Sequence, residues 1–293
     1  MVSDEPVFLI GNPRSGTTLL RLIVTSHPAI VIPPECGFMI WWKPAYGDWR
    51  ATDINTTRLD QFVDDIVSSR KFETWHLPAA VVREHLRDAA PESYAALCAA
   101  VYACFVARHK PAADMWGDKN NFHVTHVGDL HALFPACRVV HIVRDPRDVA
   151  CSYRDMSRVA STSPYTPRLP VDAPTIGAEW LANVTAVRAG IARMPADRVK
   201  EIRYEDLVQT PGETAASLCA FLGRPFDAGM LNYHESNADL ELEPREFLAW
   251  KAKTLEPPDP STIGRHRTQL PAADVAAISR ITRDLLSAYG YAP

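Results

Sequence analysis

Three features that often identify a class of protein are missing from this 293-residue chain. Its six cysteines are scattered without a Cys-x-x-Cys pair, which argues against a zinc site or a disulfide framework and predicts reduced, mostly buried thiols. No segment approaches the roughly 20 apolar residues that a transmembrane helix needs. The net charge is only -4, so we expect no nucleic-acid partner, and any anion site must be local.

The start of the chain also lacks the pattern of a signal peptide. Residues 1–5 carry no basic stretch and lead almost directly into an apolar run, so we expect a cytoplasmic protein without a cleaved leader. With 47% hydrophobic and 23% charged residues, the composition is that of a globular protein. The length suits one large domain over residues 1–293.

One stretch near the N-terminus has the pattern of a phosphate-binding loop. Residues 7–10 predict a short buried strand, Gly11 and Gly16 bracket a polar turn, and a helix is predicted to follow. This geometry presents backbone N–H groups to a phosphate. The spacing is that of the nucleotide-triphosphate P-loop, but Thr17 stands where that loop has a lysine that reaches the β- and γ-phosphates. The loop therefore favours a shorter 5′-anion over ATP or GTP, with Arg14 as a source of positive charge.

Strands alternate with helices along most of the chain. Residues 138–143 predict the strongest strand, which is almost entirely apolar, as expected at the centre of a parallel sheet. Residues 40–110 predict a helical cap inserted beside the site, whereas the proline-rich residues 158–175 predict a loop or flap. Residues 223–264 have only a weak, loop-like pattern. We expect an α/β protein with a P-loop-NTPase-like, three-layer fold around a central parallel sheet.

A second candidate anion site follows the strand at residues 138–143. In triphosphate enzymes a strand at this point usually ends in an aspartate that helps to hold Mg²⁺, but here the first polar residue is Arg144. A cation at the carboxyl end of a strand faces the crevice where such folds bind ligands. Ser152 is expected to face the same crevice, and this pair suits a second phosphate. Asp145 is expected to cap the following helix, with Asp148 as its capping-box acid.

Three motifs in this order resemble the nucleotide-binding elements of sulfotransferases that use 3′-phosphoadenosine 5′-phosphosulfate (PAPS). Residues 13–20, Pro-Arg-Ser-Gly-Thr-Thr-Leu-Leu, resemble their 5′-phosphosulfate loop. Residues 142–148 together with Ser152 resemble their 3′-phosphate element, and residues 204–207, Tyr-Glu-Asp-Leu, resemble their strand-end element near the nucleotide. The loop is most similar to the branch that contains bacterial and protein-tyrosine sulfotransferases. The cap and the flap match no element that we can name.

The resemblance implies a set of donor-binding residues and no metal, because protein cations take its place. The donor-binding residues are Pro13, Arg14, Ser15, Gly16, Thr17, Thr18, Arg144, Ser152, Tyr204 and Arg265. Arg265 lies in residues 263–268, which resemble the family's C-terminal segment that closes over the nucleotide. Arg267 is the alternative contact for the 3′-phosphate.

The resemblance also implies three catalytic residues, Glu35, Lys119 and Arg14. A glutamate corresponding to Glu35 is the general base in the tyrosine-sulfating branch, and burial among aromatic side chains is expected to raise its pKa toward neutrality. Lys119 resembles a lysine that contacts the transferring sulfuryl group, and with Arg14 it would offset charge on the leaving phosphate. The ordinary alternatives are an acid at a helix N-terminus and a surface lysine.

Other residues offer weaker alternatives. His76 is the alternative base, because cytosolic steroid and phenol sulfotransferases use a histidine. His123 and His126 have the i, i+3 spacing of a metal-binding pair, but no third ligand is evident. Three tryptophans in the predicted cap either line an acceptor pocket or only pack the cap. They are Trp41, Trp42 and Trp49.

The sequence thus predicts an enzyme that moves the sulfuryl group of PAPS, in line, to a hydroxyl of a small-molecule acceptor and releases 3′-phosphoadenosine 5′-phosphate (PAP). The aromatic cap suggests a flat or apolar acceptor such as a phenol or a natural product, while a lipid, a sugar or a peptide remains an alternative. A P-loop nucleoside or small-molecule kinase is a second hypothesis and would need a magnesium site and a P-loop lysine. A non-catalytic nucleotide-binding module is a third, and would need neither Glu35 nor Lys119.

Overall fold

A parallel β-sheet organises the protein, which we describe from a computed structural model over residues 5–240 and 242–292. The described strands are β1 (Val7–Ile10), β2 (Ile30–Val31), β3 (Met115–Lys119), β4 (Arg138–Val143) and β5 (Val199–Arg203). They lie in the order β2-β3-β1-β4-β5, and every pairing is parallel. The predicted α/β class is therefore confirmed, with β1 at the centre of the sheet and β4 beside it.

Helices cover both faces of the sheet. The α-helices are α1 (Thr17–Thr25), α2 (Phe38–Trp41), α3 (Lys43–Tyr46), α4 (Thr57–Val67), α5 (Ala79–Ala89), α6 (Tyr94–His109), α7 (Val127–Leu133), α8 (Pro146–Met156), α9 (Ala173–Ile191), α10 (Tyr204–Gln209), α11 (Pro211–Leu222), α12 (Tyr233–Leu240), α13 (Leu248–Lys251), α14 (His266–Gln269) and α15 (Ala272–Ala288). Short 3₁₀ turns connect several of them. Over the described residues, no helix combines the length and the apolar character that crossing a bilayer would take.

The alternation of side chains along β1 gives the sheet two apolar faces. Phe8 and Ile10 belong to a buried cluster that contains the helices of the predicted cap, whereas Val7 and Leu9 belong to a cluster with α1, α10 and α11. Because the cap shares its buried cluster with the sheet, it is packed against the sheet rather than standing apart. A third cluster joins α8, α9 and α15 at the end of β4.

The segment after residue 223 is more ordered than its sequence pattern suggested. It contains α12, α13 and short 3₁₀ turns, and we call residues 242–264 the C-terminal strap. The buried guanidinium of Arg21 lies 2.6 Å from Glu243 at one end of the strap. At the other end, the carboxylate of Asp148 accepts hydrogen bonds from the backbone N–H groups of Gly264 and His266, at 2.6 and 3.0 Å.

The helix after β4 begins as predicted, but one of its acids has a different role. The Asp145 side chain accepts a hydrogen bond from the backbone N–H of Arg147, so the predicted N-cap is confirmed. The predicted capping box is wrong. Asp148 points away from the helix end toward the strap, and the backbone N–H of Asp145 donates instead to Glu205 Oε1 at 3.0 Å.

Candidate active site

One cavity of about 570 Å³ lies at the carboxyl ends of the central strands. Most of the donor-binding residues expected from the sequence line it, namely Pro13, Arg14, Gly16, Thr17, Thr18, Arg144, Ser152, Tyr204 and Arg265. Glu35 lines it as well. Ser15 and Lys119 are buried behind the wall, at 0% and 1% exposure. The structure therefore gathers residues from across the chain into one place.

The loop after β1 is packed tightly against Tyr204. Gly16 has a φ of +91°, and a Cβ atom there would lie 2.4 Å from Tyr204 Cδ2, so only glycine fits this position without a shift. Arg14 also has a positive φ, +65°, which is uncommon for a side chain of its size. The buried Ser15 hydroxyl has no hydrogen-bond partner in the part of the chain that the structure describes. A buried hydroxyl without a partner in a loop of this shape suits an anionic ligand.

Two arginines meet at the end of β4. Arg14 Nε donates to Ser152 Oγ at 3.1 Å, and Arg144 Nη1 donates to the Arg14 carbonyl oxygen at 3.2 Å. The Arg144 guanidinium lies 4.2 Å from the centroid of the Tyr204 ring. Burial and the neighbouring Arg144 charge both lower the pKa of Arg14. In the described residues neither guanidinium forms an ion pair with a carboxylate, which leaves both available to an anion.

Glu35 and Lys119 form a close ion pair at the cavity wall. Lys119 Nζ donates to Glu35 Oε1 and lies 3.3 Å from the hydroxyl of Thr18, the second residue of α1. The other carboxylate oxygen, Oε2, accepts from Lys71 Nζ at 2.6 Å. Lys119 is therefore not a surface lysine, and Glu35 is not simply an acid at a helix N-terminus.

The expectation that the pKa of Glu35 is raised is wrong. Burial does act to raise the pKa, but the ammonium groups of Lys119, Lys71 and Lys251 outweigh it and hold the pKa of Glu35 well below its usual range. Burial lowers the pKa of Lys119 to about 8, against the opposing effect of Glu35. At neutral pH the carboxylate is thus ionised and the buried lysine is mostly charged.

The contacts of Arg14 separate it from the other predicted catalytic residues. Its side chain contacts Ser152 and, at 3.4 Å, the carbonyl oxygen of Trp250. Lys119 instead contacts Thr18 and Glu35. Arg14 therefore lies against the residue expected to bind the second phosphate.

The structure adds residues that the sequence did not single out. Lys71, from the turn after α4, contacts Glu35, and the strap places Phe247, Trp250 and Lys251 in the cavity wall. The dense aromatic and basic run at residues 247–251, Phe-Leu-Ala-Trp-Lys, was an available signal for the strap. No local signal pointed to Lys71, because its role depends on how the cap folds back onto β2.

The three tryptophans of the cap have different environments. Trp41 lines the cavity with 39% of its surface exposed. Trp42 is half-buried and donates from Nε1 to Ser69 Oγ, while Trp49 is buried and donates to the Pro91 carbonyl oxygen. Of the three, only Trp41 is placed to meet a ligand.

The histidines do not lie where their proposed roles would need them. His76 is exposed and is not part of the cavity wall. His123 and His126 each face a carboxylate of their own, Asp118 and Asp129, both at 3.0 Å. No group of three or more potential metal ligands occurs among the residues described.

The flap and the C-terminal arginines complete the cavity. The flap predicted over residues 158–175 forms no helix or strand up to residue 172, but the prediction is wrong for its last three residues, because α9 already begins at Ala173. Tyr165 and Leu169 of the flap line the cavity. Arg265 lines it too, with Nη2 2.6 Å from Asp155 Oδ2. Arg267 is exposed and lies outside the wall, so Arg265 is the better placed of the two.

Comparisons with known proteins identify relatives along most of the chain. The family model described as "Sulfotransferase family" matches residues 6–228. A putative protein-tyrosine sulfotransferase of Caenorhabditis briggsae is 25% identical over 85% of this chain and 77% of its own length. Protein-tyrosine sulfotransferase 1 of Danio rerio is 23% identical over 79% of this chain, which spans only 57% of that relative.

A solved structure has the same fold. The sulfotransferase domain of the Synechococcus PCC 7002 olefin synthase aligns with a TM-score of 0.65 and 21% identity, covering 100% of this chain and 96% of that domain. The expected P-loop-like, three-layer fold is thereby confirmed. The family match ends before the strap begins, so the strap lies outside the matched region.

Proposed function

This chain belongs to the sulfotransferase family, and from that premise we propose that it moves the sulfuryl group of PAPS to a hydroxyl of a small-molecule acceptor. One observation carries the proposal. Among the described residues, one cavity brings together a glycine-bounded anion loop, two arginines without carboxylate partners and, at its wall, the carboxylate–ammonium pair Glu35 and Lys119. The loop and the two arginines suit a donor with two phosphate ends, and the Glu35–Lys119 pair suits removal of a proton from the acceptor.

The donor would be held at both ends by residues already described. The loop at residues 13–18 and the N-terminus of α1 face the 5′-phosphosulfate, with the unpartnered Ser15 hydroxyl as an additional donor. Arg144, Ser152 and Arg265 would hold the 3′-phosphate, and Arg14 joins them through its contact with Ser152. PAPS itself supplies the sulfuryl group that is transferred.

Glu35 is proposed as the general base. Its low pKa keeps it ionised, so it can accept a hydroxyl proton at neutral pH without first losing one. Positioned general bases typically contribute ~10²–10⁴-fold to the rate, and most when their pKa lies near the working pH. Lys119 fixes Glu35 through Oε1, and its positive charge beside Thr18 would offset negative charge that develops at the donor end of the cavity.

Calorimetry separates this function from its alternatives. We expect PAP to bind at least ~10-fold more tightly than either ATP–Mg²⁺ or AMP, because a charge-assisted contact to the 3′-phosphate is worth about 1.5–3 kcal/mol. Arg144→Met should remove most of the preference for PAP over AMP. The matched control is Arg193→Met, at an exposed position outside the cavity. ATP–Mg²⁺ binding as tight as that of PAP, with no preference for the 3′-phosphate, would contradict the proposal.

A further inference from the structure

We propose that the acceptor carries an oxyanion group near the hydroxyl that is sulfated, and that Lys71 binds this group after leaving Glu35. The inference rests on the proposed function, since it assigns a substrate class to the same site. It makes Lys71 a specificity-determining residue, and it makes the acceptor an apolar hydroxy acid rather than a neutral alcohol.

The carboxylate of Glu35 is already paired. Both carboxylate oxygens are engaged by ammonium groups, Oε1 by Lys119 and Oε2 by Lys71. A base must come within hydrogen-bond reach of the proton that it removes. The lysines do not saturate the carboxylate, because each oxygen has two lone-pair sites, but both charges lower the pKa of Glu35. An acceptor hydroxyl that replaces one lysine therefore meets a more basic carboxylate.

Lys71 is the lysine that can move. Lys119 belongs to β3, is paired with Leu9 across the sheet, and has a side chain that is 1% exposed. Lys71 lies in a turn of the cap and lines the cavity with a side chain that is 20% exposed. Its φ of +72° is a strained conformation for a residue other than glycine, and such conformations concentrate at functional sites. The structure thus assigns Oε2 of Glu35 to the acceptor.

Departure of Lys71 from Glu35 would leave its positive charge unpaired. Four cations converge here on two carboxylates: Lys71 and Lys119 contact Glu35, while Lys251 and Arg21 contact Glu243. Apart from Glu35, the contact that the described residues give the Lys71 ammonium is the face of the Phe247 ring, 5.4 Å from the ring centroid. A partly buried ammonium needs a counter-charge. An oxyanion on the acceptor would supply it at the moment that the hydroxyl reaches Glu35.

Two exposed aromatic side chains, Trp41 and Phe122, lie near Glu35. The ring of Trp41 lies over Gly37, two residues beyond Glu35, where an added Cβ atom would be 2.4 Å from the ring. Trp41 is 39% exposed and stands 6.3 Å, between ring centroids, from Phe122, which is 41% exposed. An exposed aromatic pair beside the base favours a flat or apolar body. The proposed class of acceptors is therefore defined by three features, a hydroxyl, a nearby oxyanion and an apolar body.

The test compares two probes that differ in one charge. The PAP-loaded protein is titrated with 2-hydroxyphenylacetate and with 2-hydroxyphenylacetamide by calorimetry. We expect the carboxylate to bind at least ~10-fold more tightly in the wild-type protein, since hydrogen bonds to charged groups contribute about 1.5–3 kcal/mol. Lys71→Gln should abolish this preference, and Lys71→Arg should keep it. Lys253→Gln is the control, because Lys253 lines the same cavity but is 69% exposed and lies 3.6 Å from Asp259 rather than against Glu35.

Several results would overturn the inference. Equal affinity for the two probes, or undetectable binding of the carboxylate to the wild-type protein, would do so without any variant. A preference that survives in Lys71→Gln would also do so, because the oxyanion would then bind elsewhere. Binding of PAP is measured separately, in the calorimetric titration of the protein with PAP alone. If PAP does not bind there, the proposed function itself is contradicted. The two failures are therefore distinguishable.

Discussion

Glu35→Gln is the substitution that bears most directly on the proposed chemistry. Glutamine keeps the shape of the side chain and an oxygen for Lys119, but it cannot accept the acceptor proton. We expect turnover to fall by ~10²-fold or more, which corresponds to at least about 2.7 kcal/mol of transition-state stabilisation. PAP affinity should stay nearly unchanged, because the contacts proposed for PAP are made by Arg14 and Arg144.

A second effect must be separated from the first. Glu35 opposes the burial that lowers the pKa of Lys119 to about 8, so the pKa of Lys119 should fall further in the variant. A lysine keeps its charge only below its pKa, and an assay at pH 6.5 therefore preserves more of the Lys119 charge than one at pH 8. Loss of one partner of a buried pair also costs up to about 3–5 kcal/mol of stability, which thermal unfolding would report.

The assay is single-turnover transfer from labelled PAPS, with PAP titrations on the same preparations. Glu84→Gln is the matched control, since Glu84 is exposed on α5, outside the cavity, and its substitution should leave turnover unchanged. If Glu35→Gln retains wild-type turnover at pH 6.5, Glu35 is not the base. If PAP affinity falls together with turnover, the variant has damaged the donor site and the assignment of separate roles is wrong.

Three further predictions follow from the same geometry. The kcat/KM for PAPS reports ionisations of the free enzyme and should fall as pH rises through about 8, because the pKa of Lys119 is lowered to about 8 and its charge is lost there. A flat pH profile up to pH 10 would contradict this prediction. Gly16→Ala should weaken PAP binding and destabilise the protein by about 1–3 kcal/mol, since its Cβ would lie 2.4 Å from Tyr204 Cδ2. The control is Gly128→Ala, which should do neither, because an added Cβ there has nothing within 4 Å. Equal melting temperatures and PAP affinities for the two variants would refute this prediction. Glu243→Gln should cost about 3–5 kcal/mol in chemical denaturation, because two cations lose their shared buried carboxylate; a change below 1 kcal/mol would show that the strap is held by other contacts.

The placement of the proposed donor-binding residues around one cavity was predictable because its signals are local. The spacing of Gly11 and Gly16 after an apolar run already specifies a strand, a tight loop and a helix. The change from an apolar strand to Arg144 marks the end of β4, where parallel sheets bind ligands. Each of these inferences needs only neighbouring residues and the rule that parallel strands end at the same edge.

The protonation state of Glu35 was not predictable in this way. Its neighbours in sequence are apolar or small, and they suggested a raised pKa. Its neighbours in space are Lys71, Lys119 and Lys251, which come from the cap, from β3 and from the strap. The sign of the shift therefore depends on three separate tertiary contacts. The contact of Asp148 with the strap was not predicted for the same reason, because the groups that it binds lie more than a hundred residues further along the chain.

The two anchors of the strap have a consequence for how this protein can diversify. The Glu243 pair and the Asp148 contacts fix the ends of residues 242–264, while the residues between them form much of the cavity wall. Lengthening a surface loop whose ends are fixed costs only about 0.6 kcal/mol per doubling. The backbone carbonyl groups of Trp250 and Thr262 accept hydrogen bonds from Arg14 and Arg144, so insertions at those two points would also disturb the proposed donor site. For directed evolution of the proposed acceptor range, side-chain exchanges between the anchors that keep these two backbone contacts are therefore the changes to make.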